Sequence, residues 1–448
     1  MRVIKKDNQC NKMNNNTSIR FHGNILASQS FDPHTCVDLQ LSDRNVFVVF
    51  KQLYYLLDII LCSSFFLISC SLSKQINQQA NTILLKDTVI STGFTGISLY
   101  EPATGKYWYN YDATKNFVPA SNIKLFSLYA GMKYLGDSLI GLRYLPQDSG
   151  IIIYPTGDPS FLHPHFKQQP VFDFLKNKTN ISYYTQHFSE ALGTGWAWDD
   201  YNDNYMVQRS ELPIYGNLTR IFYTDGVFST IPKNIPLHTQ KGFEKYGDSV
   251  EFSFSRKWES NEIISTVAAE HSAKKIYEIP MVADQNTVNG FLEDTLHQPI
   301  HLIDSDAKYS IQNQNRNLHI IYSQPADSLF TPMMHNSDNF FAEQTLLMAS
   351  NEHLGYMSDE AMIDTLLNTD LKDIPQKPNW VDGSGLSRYN LFSPQAMVYI
   401  LNKLQTEFGI KRLKAILPTG STGTFKNYYL RDSGYIYAKN GSLSNLLH

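Results

Sequence analysis

The chain has 448 residues, 42% of them hydrophobic, and a formal net charge of −4. That is length enough for two or three domains with real cores, and the lack of a basic footprint excludes nucleic acid as a partner. All four cysteines (Cys10, Cys36, Cys62 and Cys70) lie in the first 70 residues, so the body can hold no disulfide framework, cysteine metal site or catalytic thiol.

Residues 1–47 are polar, Asn-rich and aperiodic, and a signal peptide does not begin fifty residues into a chain. We therefore expect 1–47 to be a non-native extension, with translation starting near Val48 or Val49 at a non-Met codon. Residues 48–69 have the layout of a secretory signal: a basic flank at Lys51, then a mostly apolar run. It ends in Leu67-Ile68-Ser69-Cys70, which resembles the lipobox of bacterial lipoproteins, with Cys70 as the lipidated residue; a plain transmembrane anchor is the alternative. Ser71 after such a cysteine implies the outer membrane, on the periplasmic side of a bacterial envelope. Residues 70–82 are polar and read as a tether.

Within the body, residues 92–111 read as two strands around the turn Pro102-Ala103-Thr104-Gly105. Next comes "FVPASNIKLFSLYAG" (117–131), a helical run apolar on nearly every face and so a buried helix, whose one charged side chain is Lys124. From 145 to 324 the texture changes to short strand-like runs, aromatics, prolines and Asp/Asn turns, a β-rich insertion between segments 83–144 and 325–448. Trp196 and Trp198 read as its core, and His163 and His165 as surface or packing residues without metal-ligand spacing. Helical patterns return at 339–350, 358–366 and 394–406, the last with Ser393 as N-cap and Pro394 at its first position. The run 435–443 alternates like a strand, with Tyr435, Tyr437 and Lys439 on one face.

Ser121 and Lys124 are three positions apart, so on a helix they face each other. An apolar setting lowers the pKa of a lysine, making it a base, and a serine becomes nucleophilic when such a base takes its proton. Alone this pair is a common coincidence. Ser337-Asp338-Asn339 ahead of an apolar helix reads equally as an N-cap cluster, and Lys439-Asn440-Gly441 as a hairpin turn. The three in this order, S-x-x-K, S-D-N and K-x-G, are the motif set of penicillin-binding proteins and serine β-lactamases. In that division of labour Ser121 attacks, Lys124 takes its proton, and Ser337 with Lys439 relays it to the leaving group. Asn339 holds a substrate amide, Gly441 permits close backbone approach, and the N–H groups of Ser121 and Ser442 form an oxyanion hole.

With "GDPSF" (157–161), "GWAWDD" (195–200), "VDGSGLSRYN" (381–390) and "LPTGSTGTF" (417–425), the chain resembles the class C low-molecular-mass penicillin-binding proteins, the D-Ala-D-Ala carboxypeptidase/endopeptidases. The resemblance runs from about residue 90 to the end, and the long gap between Ser121 and Ser337 fits that class. It implies an α+β fold with a transpeptidase module (an antiparallel sheet flanked by helices) interrupted by a β-rich insertion. It also implies an acyl-enzyme on Ser121, peptidoglycan stem peptides as substrates, β-lactams as inhibitors and no cofactor or metal. The substrate carboxylate would meet Lys439 and Ser442. Asn440 stands where the family has threonine; strand alternation would turn it away from Lys439 and Gly441, leaving carboxylate recognition intact. The family continues through at least two strands beyond the third motif, so we expect a truncated module whose 435–443 strand lacks a neighbour and leaves an apolar face open to water. Two other functions compete: a β-lactamase or esterase of the same fold, and a degenerate peptidoglycan-binding lipoprotein without catalysis.

Overall fold

The structure, a computed structural model, describes residues 73–448 apart from positions 89, 187, 189, 225–226, 240–250, 268–275, 305–317, 444–445 and 448. The expected extension 1–47, the signal segment 48–69 and Cys70 lie outside the described residues. The tether is helical where it is described: α1 covers 73–79 and continues in π turns over Ala80–Leu84, since this run of Lys, Gln and Asn holds no helix breaker.

The expected hairpin forms from β1 (Ile97–Glu101) and β2 (Lys106–Tyr111), antiparallel, with Gly105 in the left-handed region at φ +68° closing the turn. Helix α2 (Lys124–Tyr134) is buried without interruption from Lys124 to Met132, as its unbroken apolar composition requires. Two short helices, α3 (Pro170–Leu175) and α4 (Gln285–Leu296), belong to the middle of the chain. Around α2 pack α5 (Ala326–His335), α6 (Asn339–Leu354) and α8 (Pro394–Phe408), with α7 (Asp359–Asn368) behind α6 and α9 (Ile410–Ile416) after α8. Ser393 caps α8 as expected, its side chain accepting from the Ala396 N–H at 3.1 Å. One core joins α2 to the helices after Pro325, with Phe126, Leu128, Phe330, Leu346 and Ile400 fully buried.

A second core lies between Leu142 and Ile300. Its largest sheet has the order β12-β5-β4-β3-β13: β3 (Ser138–Gln147), β4 (Gly150–Tyr154), β5 (Ile181–Tyr184), β12 (Ile300–Ile303) and β13 (His319–Pro325). Two three-stranded sheets lie between, one of β6 (Leu218–Thr224), β7 (Val227–Ile231) and β11 (Ile276–Pro280), the other of β8 (Leu237–His238), β9 (Phe252–Arg256) and β10 (Ile263–Val267). β3 and β13 run antiparallel with Tyr144 opposite His319, so the chain enters and leaves this lobe on adjacent strands.

The strand expected over 435–443 is not formed. Between Tyr435 and Gly441 there is one isolated bridge, Thr419 to Tyr437, and a ladder begins only at β14 (Ser442–Leu443), antiparallel to β15 (Leu446–Leu447). Alternation sets which side chains share a face, but a strand exists only where a partner offers a ladder, and among the described residues Thr419 alone does so. Beside it an apolar groove of about 320 Å³ stays open between β1 and helices α8 and α9, lined by Leu99, Leu401, Ile410 and Tyr437.

Candidate active site

Ser121 lies in the 3₁₀ turn Ala120–Ile123 that leads into α2. Ala120, just before it, holds φ +47°, a left-handed conformation that costs a non-glycine residue about 1–2 kcal/mol. Two glycines close on this turn. A Cβ on Gly385 would stand 2.0 Å from the Ala120 carbonyl oxygen, and one on Gly441 would stand 2.8 Å from the Ser121 nitrogen. Gly441 is thus required for backbone packing against Ser121 itself.

Lys124 is fully buried, and its ammonium donates to three acceptors: Ser121 Oγ at 2.9 Å, Asn339 Oδ1 at 2.6 Å and the Ser384 carbonyl at 2.8 Å. All three of its protons are accounted for. Burial brings its pKa down to about 8 against the pull of the Asp382, Asp338 and Glu343 carboxylates.

The Ser337-Asp338-Asn339 turn serves as cap and as site. Asp338 caps α6 by accepting from the Phe341 N–H at 2.9 Å. Ser337 sits at φ +56°, and Asn339, the first residue of α6, touches Lys124 with its oxygen and donates from Nδ2 to the Tyr205 carbonyl at 2.9 Å. Lys439 Nζ donates to Ser337 Oγ at 2.9 Å and to the Asn440 carbonyl. Burial, assisted by the charge on Lys124, lowers its pKa to about 6.

One cleft of about 660 Å³ is lined by Ser121, Ser337, Asn339, Asn440, Gly441 and Ser442, and the two lysines reach it through their hydrogen bonds to Ser121 and Ser337. Because 435–441 is not a strand, alternation does not turn Asn440 away; it lines the cleft, with its amide oxygen buried and unpartnered. Trp196 also departs from expectation. It is no core residue of the insertion: it lines the cleft and donates from Nε1 to Asp382 Oδ2 at 3.0 Å. Trp198 is 71% exposed and meets Trp258 edge to face. His163 does pack, against Phe166 and Phe341, and burial pushes its pKa down to about 3.

Sequence reasoning missed the layer behind Lys124. Asp382, fully buried, accepts from the N–H groups of Gly385 and Ser387, from Asn390 Nδ2 and from Trp196, holding the 382–390 loop against the Ala120–Ile123 turn. Glu343, also fully buried, accepts from the Ser384 N–H at 2.7 Å and faces Arg209. Glu343 carries a signal like the one that exposed Lys124, the one charge in the apolar run 340–349 of its helix.

The model of the D-Ala-D-Ala carboxypeptidase 3 (S13) family matches residues 76–447. The chain belongs to that family. It is therefore a serine-type D-Ala-D-Ala carboxypeptidase, of the penicillin-binding class that its three motifs resemble. A "Penicillin-sensitive carboxypeptidase A" of Dictyostelium discoideum is 22% identical over 414 residues, covering 78% of this chain and 76% of the relative. Penicillin binding protein 4 of Haemophilus influenzae shares the fold, with a TM-score of 0.58 at 16% identity over 78% of this chain and 84% of that one. The same protein complexed with a β-lactam gives 0.56 at the same identity and coverage. No group of residues among those described is arranged to hold a metal ion, and no described helix is long and apolar enough to cross a membrane.

Proposed function

We propose that the 660 Å³ cleft hydrolyses the D-Ala-D-Ala end of peptidoglycan stem peptides, or a D-alanyl cross-link, through an ester on Ser121. Lys124 as free base takes the Ser121 proton while Oγ attacks the carbonyl. The C–N bond then breaks, and the proton reaches the leaving amine through Ser337 and Lys439. Water releases the acyl group by the reverse route, with Lys124 taking its proton. Asn339 holds the substrate amide beside Lys124, and the N–H groups of Ser121 and Ser442 hold the oxyanion. Lys439, Asn440 and Ser442 hold the terminal carboxylate, a charge-assisted contact that restores the ammonium form of Lys439. A β-lactam enters the same ester and stays.

One observation carries this reading: the hydrogen bonds Ser121–Lys124 and Ser337–Lys439, both 2.9 Å, open on one cleft. We also place the enzyme in the bacterial envelope, tethered to the outer membrane by a lipid on Cys70. The sequence supports that anchor through residues 48–71 alone.

Intact-mass analysis of residues 71–448 with benzylpenicillin tests the reading, with a Ser121→Ala control. A stable adduct on the first and none on the second is expected. A folded protein without adduct points to the non-catalytic peptidoglycan-binding function, and an adduct that hydrolyses within seconds points to a β-lactamase.

A further inference from the structure

The insertion sends one arginine deep into the catalytic module. Arg209, 2% exposed, donates from Nη1 to Glu343 at 3.4 Å and to Asp359 at the start of α7, while Nε and Nη2 donate to the carbonyls of Glu190 at 3.0 Å and Leu192 at 3.2 Å. Trp196 lies over its guanidinium at 5.7 Å. Glu343 in turn accepts from the Ser384 N–H with its other oxygen, and the Ser384 carbonyl accepts from Lys124. Arg209, Glu343, the Ser384 peptide and Lys124 thus form one buried chain from the inserted lobe to the base.

We propose that Glu343 is a positioning residue for Lys124, and that Arg209 positions it in turn, so that the insertion completes the electrostatic frame of the catalytic base. This rests on Lys124 being the base of an acylating Ser121. Burial, with the Asp382 and Asp359 charges, raises the pKa of Glu343 to about 7. Arg209 opposes that rise, and it is the cation bonded to Glu343 among the described residues. The other charged groups facing the pair are Asp382 on its loop, Asp359 on α7, Glu190 beside Arg209, and Lys124 itself, which also faces Asp338. Glu343 is ionised near pH 8, where Lys124 loses its proton, and there it does two things: it fixes the Ser384 peptide, aiming that carbonyl at Nζ, and it favours the Lys124 ammonium, helping to set the pH at which the base becomes free.

A purely structural role would do only the first, so the pH profile separates the two. The experiment follows the second-order rate of benzylpenicillin acylation from pH 5.5 to 9.5 in wild type, Glu343→Gln and Glu343→Ala. Glutamine keeps an oxygen for the Ser384 N–H and removes the charge. Its acidic limb should move to lower pH by about half a unit or more, with the plateau nearly unchanged. Alanine should move the limb likewise and lower the plateau roughly tenfold, because the Ser384 peptide loses its acceptor. Where Glu343→Gln does not fold, Arg209→Lys and Arg209→Met carry the test: the limb should stay in the lysine variant, which keeps the cation, and move down in the methionine one. Limbs that coincide with wild type in Glu343→Gln, or in both Arg209 variants, overturn the proposal. Wild-type protein that takes no adduct on Ser121 defeats the reading of the site and this inference with it.

Discussion

Lys124 pays for its role in stability. It titrates near 8 in the folded protein, against about 10.4 unfolded, so between those values the unfolded chain holds more protons. Wild-type stability therefore rises with pH across that window, and the charge burial costs on the order of 3 kcal/mol below it. Lys124→Met should abolish acylation. Its stability relative to wild type should be highest below pH 8 and decline as pH climbs toward 10.4, as urea unfolding at pH 7 and pH 10 would measure. A difference that does not change with pH means the lysine is not buried as a cation. Lys439 is lowered further, to about 6, by burial. A carboxylate ligand favours its ammonium form, so binding near pH 7.5 should draw about one proton from solvent. Calorimetry of a D-Ala-D-Ala peptide on Ser121→Ala, in two buffers of different ionisation heat, reads that directly; identical heats would remove Lys439 from carboxylate binding. At this scale the sequence was most legible for the pairs Ser121–Lys124 and Ser337–Asn339, whose spacing reflects local geometry, while Lys439 was found through the motif order, since it meets Ser337 across 102 positions. Asp382 and Arg209 were not, because their partners lie more than a hundred residues away or in a loop with no periodicity.

Among the elements, helix α2, which begins at Lys124, shows why local rules need their surroundings. Alanine in place of a mid-helix glycine ordinarily gains about 1 kcal/mol. At Gly131 of α2, however, a Cβ would meet Thr345 Cγ2 at 2.6 Å and Phe330 Cε1 at 2.7 Å. Gly131→Ala should instead destabilise by about 1–3 kcal/mol through overpacking and slow acylation by prising α2 from α6, the two helices that carry Lys124 and Asn339. Thermal unfolding and acylation rates check both; a stabilised, fully active variant would show that α2 can shift freely. Helices α6, α7 and α8 and the β1–β2 hairpin were readable because caps, turns and apolar periods act within a few residues. The segment 435–441 was misread because its alternation is local while a ladder is not.

For the whole molecule, the two cores are not independent. Gln344 of α6 donates to the carbonyls of Gly157 and Ser210 and accepts from the Ser210 N–H, next to the Arg209 pairs with Glu343 and Asp359. Joining Tyr144 to His319 by a short turn, where β3 and β13 lie side by side, would remove the insertion without stretching the backbone. It would leave Glu343, Gln344 and Asp359 without Arg209, Ser210 and Gly157, an uncompensated buried charge costing about 3–5 kcal/mol. Such a chain should lose cooperative unfolding and take no benzylpenicillin. A deletion that acylates at the wild-type rate would make the insertion an accessory.

Sequence by itself determined the family, through the order of its three motifs, and it singled out the serine, lysines and asparagine that we propose carry the chemistry. Those residues announce themselves because a charge in an apolar helix, or a cap at its start, is a statement about immediate neighbours. Only the tertiary structure decided what surrounds them. It brought Trp196 to Asp382 and Arg209 to Glu343, the buried carboxylates behind Lys124, set Gly385 and Gly441 against the Ser121 turn, and left 435–441 without a ladder. Those outcomes depend on which distant segments come into contact, and that depends on how the two cores pack together.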